Sequence, residues 1–144
     1  MKIFLIGIGT GNINHITLEA INALNQADVI LIPKKTTLTK DLLDLRKIVC
    51  KQLIKSKKPN LVEFSLPKRN LKSEYFLSVK KWHLKVAKAW TDSIKSYKGK
   101  KDSIALLIWG DPSIYDSSIR IAKQLVKENQ IVIVPGITSI QALT

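Results

Sequence analysis

Five short apolar runs, separated by stretches with helical spacing, leave this chain few folds to choose from. The runs are residues 2–7 (KIFLIG), 28–32 (DVILI), 61–65 (LVEFS), 103–109 (SIALLIW) and 131–134 (IVIV). Strands that are apolar at consecutive positions are covered on both faces, which is the habit of parallel sheets. Between the runs the apolar residues change period. Leu18, Ile21 and Leu24 predict a helix over 16–27, and Thr39 is placed to cap one carrying Leu42, Leu45, Val49 and Leu53. Val79, Trp82, Val86, Trp90, Ile94 and Tyr97 share one stripe of a helix expected over 72–97, with Gly99 as its terminator. A helix over 114–128 follows the fourth run, and a last one has begun by Ser139. The expectation is an α/β fold with a five-stranded, mostly parallel sheet and helices on both faces, forming one domain.

Charge narrows the partners. The chain of 144 residues carries a net +13, and residues 34–101 hold 20 of its 24 basic side chains against five of its 11 acids. A basic surface suits an anionic partner, whether nucleic acid, anionic lipid or a polycarboxylate. With 21 Lys and three Arg, the bias reads first as lysine-rich composition, second as suited to a polyanionic small molecule, and third as suited to nucleic acid. Trp82 and Trp90 sit on the apolar stripe rather than among the lysines, which argues against a single-strand nucleic-acid face. The one cysteine, Cys50, has no partner for a disulfide and suits a reducing compartment. No cleavage site follows the first apolar run and no run has the length of a membrane span, so a cytoplasmic location without membrane contact is expected. No metal site is expected.

Three turns carry the chemistry. Gly7-Ile8-Gly9-Thr10-Gly11-Asn12 follows the first strand, where glycines let backbone approach a ligand; the pattern lacks the last glycine of the dinucleotide fingerprint. Trp109-Gly110-Asp111-Pro112-Ser113-Ile114 follows the fourth strand. A carboxylate there needs backbone amides, ligand hydroxyls or a cation, unless Asp-Pro-Ser simply opens the next helix. Pro135-Gly136-Ile137-Thr138-Ser139 follows the fifth strand and poses the same choice between ligand contact and helix cap. All three breaks fall at strand C-termini, where open α/β sheets bind ligands.

These three turns together resemble the tetrapyrrole methylase family, whose members use S-adenosylmethionine. Residues 109–117 (WGDPSIYDS) and 134–143 (VPGITSIQAL), with Trp82-His83 in the long helix, are similar to family members of cobalamin biosynthesis that methylate precorrin-5 with loss of acetate to give precorrin-6A. The resemblance implies two α/β domains with the cofactor in the cleft between them. Residues 1–144 would be the N-terminal one, with the second domain absent from this chain. It implies cofactor contacts from Gly7, Gly9 and Thr10, from Trp109, Gly110, Asp111 and Ile114, and from Thr138 and Ser139. Thr10 and Asn12 stand where the family commonly has proline and aspartate. A precorrin substrate and a homodimer are implied as well. Acetate loss calls for water attack on a carbonyl, for which Asp111, Tyr115 and His83 are the candidate bases, with none assigned. A truncated methylase domain that is inactive by itself, another methyltransferase of the same family, an NAD-linked protein and a nucleic-acid binder stand as the competing readings.

Overall fold

The computed structural model describes residues 1–34, 40–67, 75–114 and 117–143, with the side chains of 40–43, 75 and 76 excepted. The expected cap Thr39, the Leu42 side chain, residues 72–74 of the long helix and the candidate base Tyr115 lie outside the described residues. In chain order the elements are β1 (Lys2–Gly7), α1 (Leu18–Gln26), β2 (Val29–Pro33), α2 (Lys40–Leu53), β3 (Asn60–Phe64), α3 (Tyr75–Ser96), β4 (Ser103–Ile108), α4 (Ser118–Ala122), β5 (Ile131–Val134) and α5 (Ser139–Leu143). A 3-10 turn, Ile13–His15, precedes α1, and another, Glu128–Gln130, leads into β5.

The five strands form one sheet in the order β3-β2-β4-β1-β5, and every paired neighbour is parallel. β1 lies between β4 and β5, with Leu5 level with Leu106 on one side and Ile133 on the other. Alternate residues of each strand feed opposite faces, as the pleat requires. On one face Ile3, Leu5, Val29, Leu31, Ile104 and Leu106 pack with Val86, Trp90 and Ile94 of α3 and Ile121 of α4. On the other, Ile6, Ile30, Ile32 and Leu107 pack with Ala20 and Leu24 of α1 and Val49 and Cys50 of α2. The expected sheet, its two covered faces and the stripe of α3 are therefore all present.

Four local expectations differ from what the chain does. Leu18 is 79% exposed at the first turn of α1, which instead buries Ala20 and Leu24; Thr17 caps that helix through the Ala20 amide at 3.0 Å. The second run, read over 28–32, forms its strand one residue further on, Val29–Pro33, with the proline inside it. Gly99 does not terminate α3: the helix ends at Ser96, and the Lys101 ammonium donates to the carbonyls of Ile94 and Tyr97 at 2.9 and 3.0 Å. A cation there satisfies the orphan carbonyls and matches the helix dipole.

The helix expected over 114–128 is only Ser118–Ala122. At its front, residues 111–114 form a turn closed by the Ile114 amide on the Asp111 carbonyl at 3.0 Å. At its back, Gln124 and Leu125 bond three residues upstream, to Ile121 and Ala122, at 3.0 Å each. This tighter winding keeps Leu125 and Val126 against the core while the chain swings toward β5.

Candidate functional site

The connections after adjacent strands leave the sheet on opposite faces. β1 runs to α1 and β4 to α4, which cover different sides. A crevice outside the strand C-termini follows wherever the winding reverses, and β4, β1 and β5 are neighbours there. The three glycine-bearing turns, far apart in sequence, thus meet on one edge.

Their meeting is backbone against backbone. A Cβ on Gly7 would stand 2.7 Å from both the Gly110 oxygen and the Gly136 nitrogen, closer than any real Cβ approaches. Gly136 is hemmed in by the same Gly110 oxygen and by Gly7. Above this contact Gly9 and Gly110 form an antiparallel bridge, with the Gly110 amide on the Gly9 carbonyl at 2.8 Å and the reverse bond at 3.4 Å. Both have positive φ, 73° and 64°, where a side chain would be strained.

On this platform lies a cavity of 420 Å³ lined by Gly9, Thr10, Trp109, Gly110 and Asp111, with Ile114, Thr138, Ser139 and Ile140 completing it. Eight of the nine residues that the resemblance implicates are therefore brought together. Gly7 is the ninth and does not line the cavity; it serves beneath, as the glycine that lets the turns after β4 and β5 close over β1.

The side chains around the cavity are held locally. Thr10 Oγ1 pairs with His15 Nδ1 at 2.9 Å, so His15 braces the first turn. Asp111 Oδ1 accepts from the Ser113 amide at 3.1 Å and its hydroxyl at 2.8 Å, and the other carboxylate oxygen takes no hydrogen bond among the described residues. Asp111 thus closes its own turn and does not open α4, which starts at Ser118. Thr138 precedes α5, where Gln141 Oε1 accepts from the Thr138 amide at 2.8 Å. The cavity so combines glycine backbone, one carboxylate, three hydroxyls and an indole, a donor set with apolar walls suited to a small organic ligand.

His83 is not part of this arrangement. It is buried on α3, its ring 5.8 Å from that of Trp82, and lines a separate cavity of 740 Å³ with Arg120 and Gln124. Of the three candidate bases only Asp111 stands at the cavity among the described residues. Gly136, already part of the third turn, seats that turn after β5, and two contributors carried no expectation from the sequence: Ile140, which extends the wall, and Arg46, whose guanidinium lies 5.3 Å from the centre of the Trp109 ring. The scarcity of Arg, three among 24 bases, is the signal that singles out Arg46.

Among the described residues no group of three His, Cys, Asp or Glu could hold a metal ion, and no helix is long and apolar enough to cross a membrane. Trp82 donates its indole N–H to the Pro67 carbonyl at 3.1 Å and Trp90 is buried against Phe64, so both belong to the core layer of α3.

The chain is similar to known proteins. Residues 2–144 match the family of tetrapyrrole (corrin/porphyrin) methylases. A precorrin-6A synthase (deacetylating) of a Sinorhizobium species is 40% identical over 147 residues, covering 99% of this chain and 56% of that protein. A uroporphyrinogen-III C-methyltransferase of Priestia megaterium is 33% identical over 139 residues, covering 96% and 49%. A crystal structure of a cobalamin synthesis related protein from Corynebacterium diphtheriae superposes with a TM-score of 0.71 at 30% identity, over 99% of this chain and 56% of its own. The uroporphyrin-III C-methyl transferase of Thermus thermophilus, solved with S-adenosyl homocysteine, shares the fold at a TM-score of 0.56 and 18% identity, with 99% and 48% covered. The chain spans about half the length of the curated relatives it matches.

Proposed function

The chain belongs to the tetrapyrrole (corrin/porphyrin) methylase family, and from that membership we propose that it forms one wall of the site of an S-adenosylmethionine-dependent tetrapyrrole C-methyltransferase. The observation that carries this reading is the convergence of Gly9, Thr10, Trp109, Gly110, Asp111, Ile114, Thr138 and Ser139 on one cavity at the sheet's switch edge. The cavity's 420 Å³ falls in the range of small-molecule sites. S-adenosylmethionine supplies an electrophilic methyl group for in-line displacement, whose chief demand is alignment.

Each residue then has a task. The side-chain-free backbone of Gly9 and Gly110 lets a ligand lie close to the sheet edge. The unbonded Asp111 oxygen accepts from ligand hydroxyls, Thr138 and Ser139 offer hydroxyls from the opposite turn, and Trp109 with Ile114 covers apolar surface. The 40% identity to a precorrin-6A synthase supports the finer proposal, in which precorrin-5 is methylated and its acetyl group leaves as acetate after water adds to the acetyl carbonyl. The basic segment over 34–101 suits such a polycarboxylate. A homodimer and a cytoplasmic location belong to the same proposal.

Coverage of about half of each relative favours a second reading, a methylase domain that holds ligand without turning over by itself. Calorimetric titration with S-adenosylhomocysteine and NAD, followed by a single-turnover assay for methyl transfer and acetate release on precorrin-5, separates these readings. Homocysteine-nucleoside binding with acetate release supports the finer proposal. Binding without release supports the second reading, and preference for NAD overturns both.

A further inference from the structure

Trp109 is the first residue beyond β4 and forms part of the cavity wall, yet among the described residues no polar bond orients its ring. The indole Nε1 is buried with no hydrogen-bond partner among those residues, whereas a buried indole N–H ordinarily finds one. The plane of the ring is held by what lies against it. The Arg46 guanidinium sits 5.3 Å from its centroid, within the range of a cation–π contact. The backbone of Gly11 lies at the six-membered side of the ring: a Cβ there would touch Trp109 Cζ3 at 3.6 Å and Cη2 at 4.0 Å.

Arg46 is in turn anchored to the strand that launches Trp109. Its Nε donates to the carbonyl of Leu107, two residues before the indole, at 3.3 Å. One side chain of α2 therefore grips the end of β4 with one nitrogen and stands over the following ring. A lysine could not do both, since its ammonium has neither a flat face nor a fixed fork of donors.

We propose that Arg46 is a positioning residue of the ligand cavity, acting through Trp109: it sets the plane of the indole against which the cofactor packs. The proposal rests on the reading of the cavity as a cofactor site. Arg46 lines an adjoining cavity of 270 Å³ and is absent from the lining of the cofactor cavity, so its effect on ligand passes through the ring.

The test uses the protein labelled with 5-fluorotryptophan, in which residues 1–144 contribute three fluorine resonances, those of Trp82, Trp90 and Trp109. Trp109→Phe assigns the relevant line. In Arg46→Lys the Trp109 line shifts or broadens while those of Trp82 and Trp90 stay in place, which also certifies an intact core. Affinity for S-adenosylhomocysteine falls about tenfold, as loss of a desolvated cation–π contact allows. The same substitution in a Trp109→Phe background changes affinity less than twofold, because the pair acts as one unit.

An unmoved Trp109 line overturns the proposal, and so does an equal loss of affinity in both backgrounds. If the unsubstituted protein does not bind S-adenosylhomocysteine, the cofactor reading fails and the ligand half of the proposal falls with it. The ligand-free fluorine spectrum decides the Arg46–Trp109 contact independently.

Discussion

Where the strands begin, side chains tie the backbone together; where they end, glycine backbone packs on glycine backbone and the side chains around the cavity are left for other work. At the first edge Asp28, 4% exposed, accepts from the amides of Asp102 and Ser103 at 3.0 and 3.1 Å and faces Lys58 at 3.7 Å. Its own carbonyl takes the Asn60 amide at 3.0 Å, so one residue joins the starts of β2, β3 and β4. Asn25 does similar service nearby, bonding the Leu53 carbonyl and the amides of Lys55 and Ser56. At the second edge Gly7, Gly9, Gly110 and Gly136 meet through their backbones, Arg46 reaches the Leu107 carbonyl, and the hydrogen bonds of Thr10, Asp111 and Thr138 are local. Buried polar groups satisfied within the protein fix structure; partly satisfied ones around a cavity are available to a ligand.

The contrast can be broken most forcefully at the glycines. Gly136→Ala places a methyl group against the Gly110 oxygen and Gly7 backbone, where neither can give way. Overpacking of this kind costs about 3 kcal/mol or more. Urea unfolding should show that loss, with ligand affinity abolished in whatever protein remains folded. A variant of near-native stability that still binds would mean the three turns are not seated as described.

At the opposite edge stability and ligand binding should separate. Burial alone would raise the Asp28 pKa, but the Ser103 amide and hydroxyl, with the charges of Lys58 and Lys100, hold it below the ordinary carboxylate value. A depressed pKa contributes stability that is present above the unfolded value of about 3.9 and lost as pH falls through the folded value. Asp28→Asn should cost about 1.5–3 kcal/mol at neutral pH, the range for hydrogen bonds to a charged group. That deficit should shrink on acidification below the ordinary carboxylate range, while affinity for S-adenosylhomocysteine at neutral pH stays unchanged. A deficit independent of pH down to the acid limb would remove Asp28 as its source.

Asp111→Asn is the mirror case. Its carboxylate closes only its own turn, so thermal unfolding should move little, while ligand affinity drops about tenfold or more for the loss of a charge-assisted bond. The smallest effect concerns Cys50. Burial pushes its thiol up to about 11, so the native protein should resist an aromatic disulfide reagent at pH 8 and react only on unfolding.

Much of this architecture was legible in the amino-acid pattern because burial acts residue by residue. β1 and β5 have the bounds their apolar runs predict, and the α3 stripe faces the sheet as spacing demands. The glycine turns were legible too, since little else tolerates such positions. What escaped depends on partners distant in sequence. Nothing local to Gly99 reveals that Lys101 reaches back to close α3. Nothing local to 114–128 shows that β5 must lie beside β1 and so cuts α4 short. Gly7 and Gly9 look alike in the string, yet one is packed under the turns and the other lines the cavity. Arg46 and Trp109 are 63 positions apart and become neighbours only through the sheet.

The most direct measurement is a backbone amide spectrum of the protein titrated with S-adenosylhomocysteine. Amides of Gly9, Thr10, Gly110, Asp111, Thr138 and Ser139 should shift together along one saturation curve, while those of Asp28, Lys55, Ser56 and Ser103 at the opposite edge stay still. Shifts centred on the strand starts or on the His83 cavity, or no saturable shift at all, would contradict a cofactor site at the switch edge.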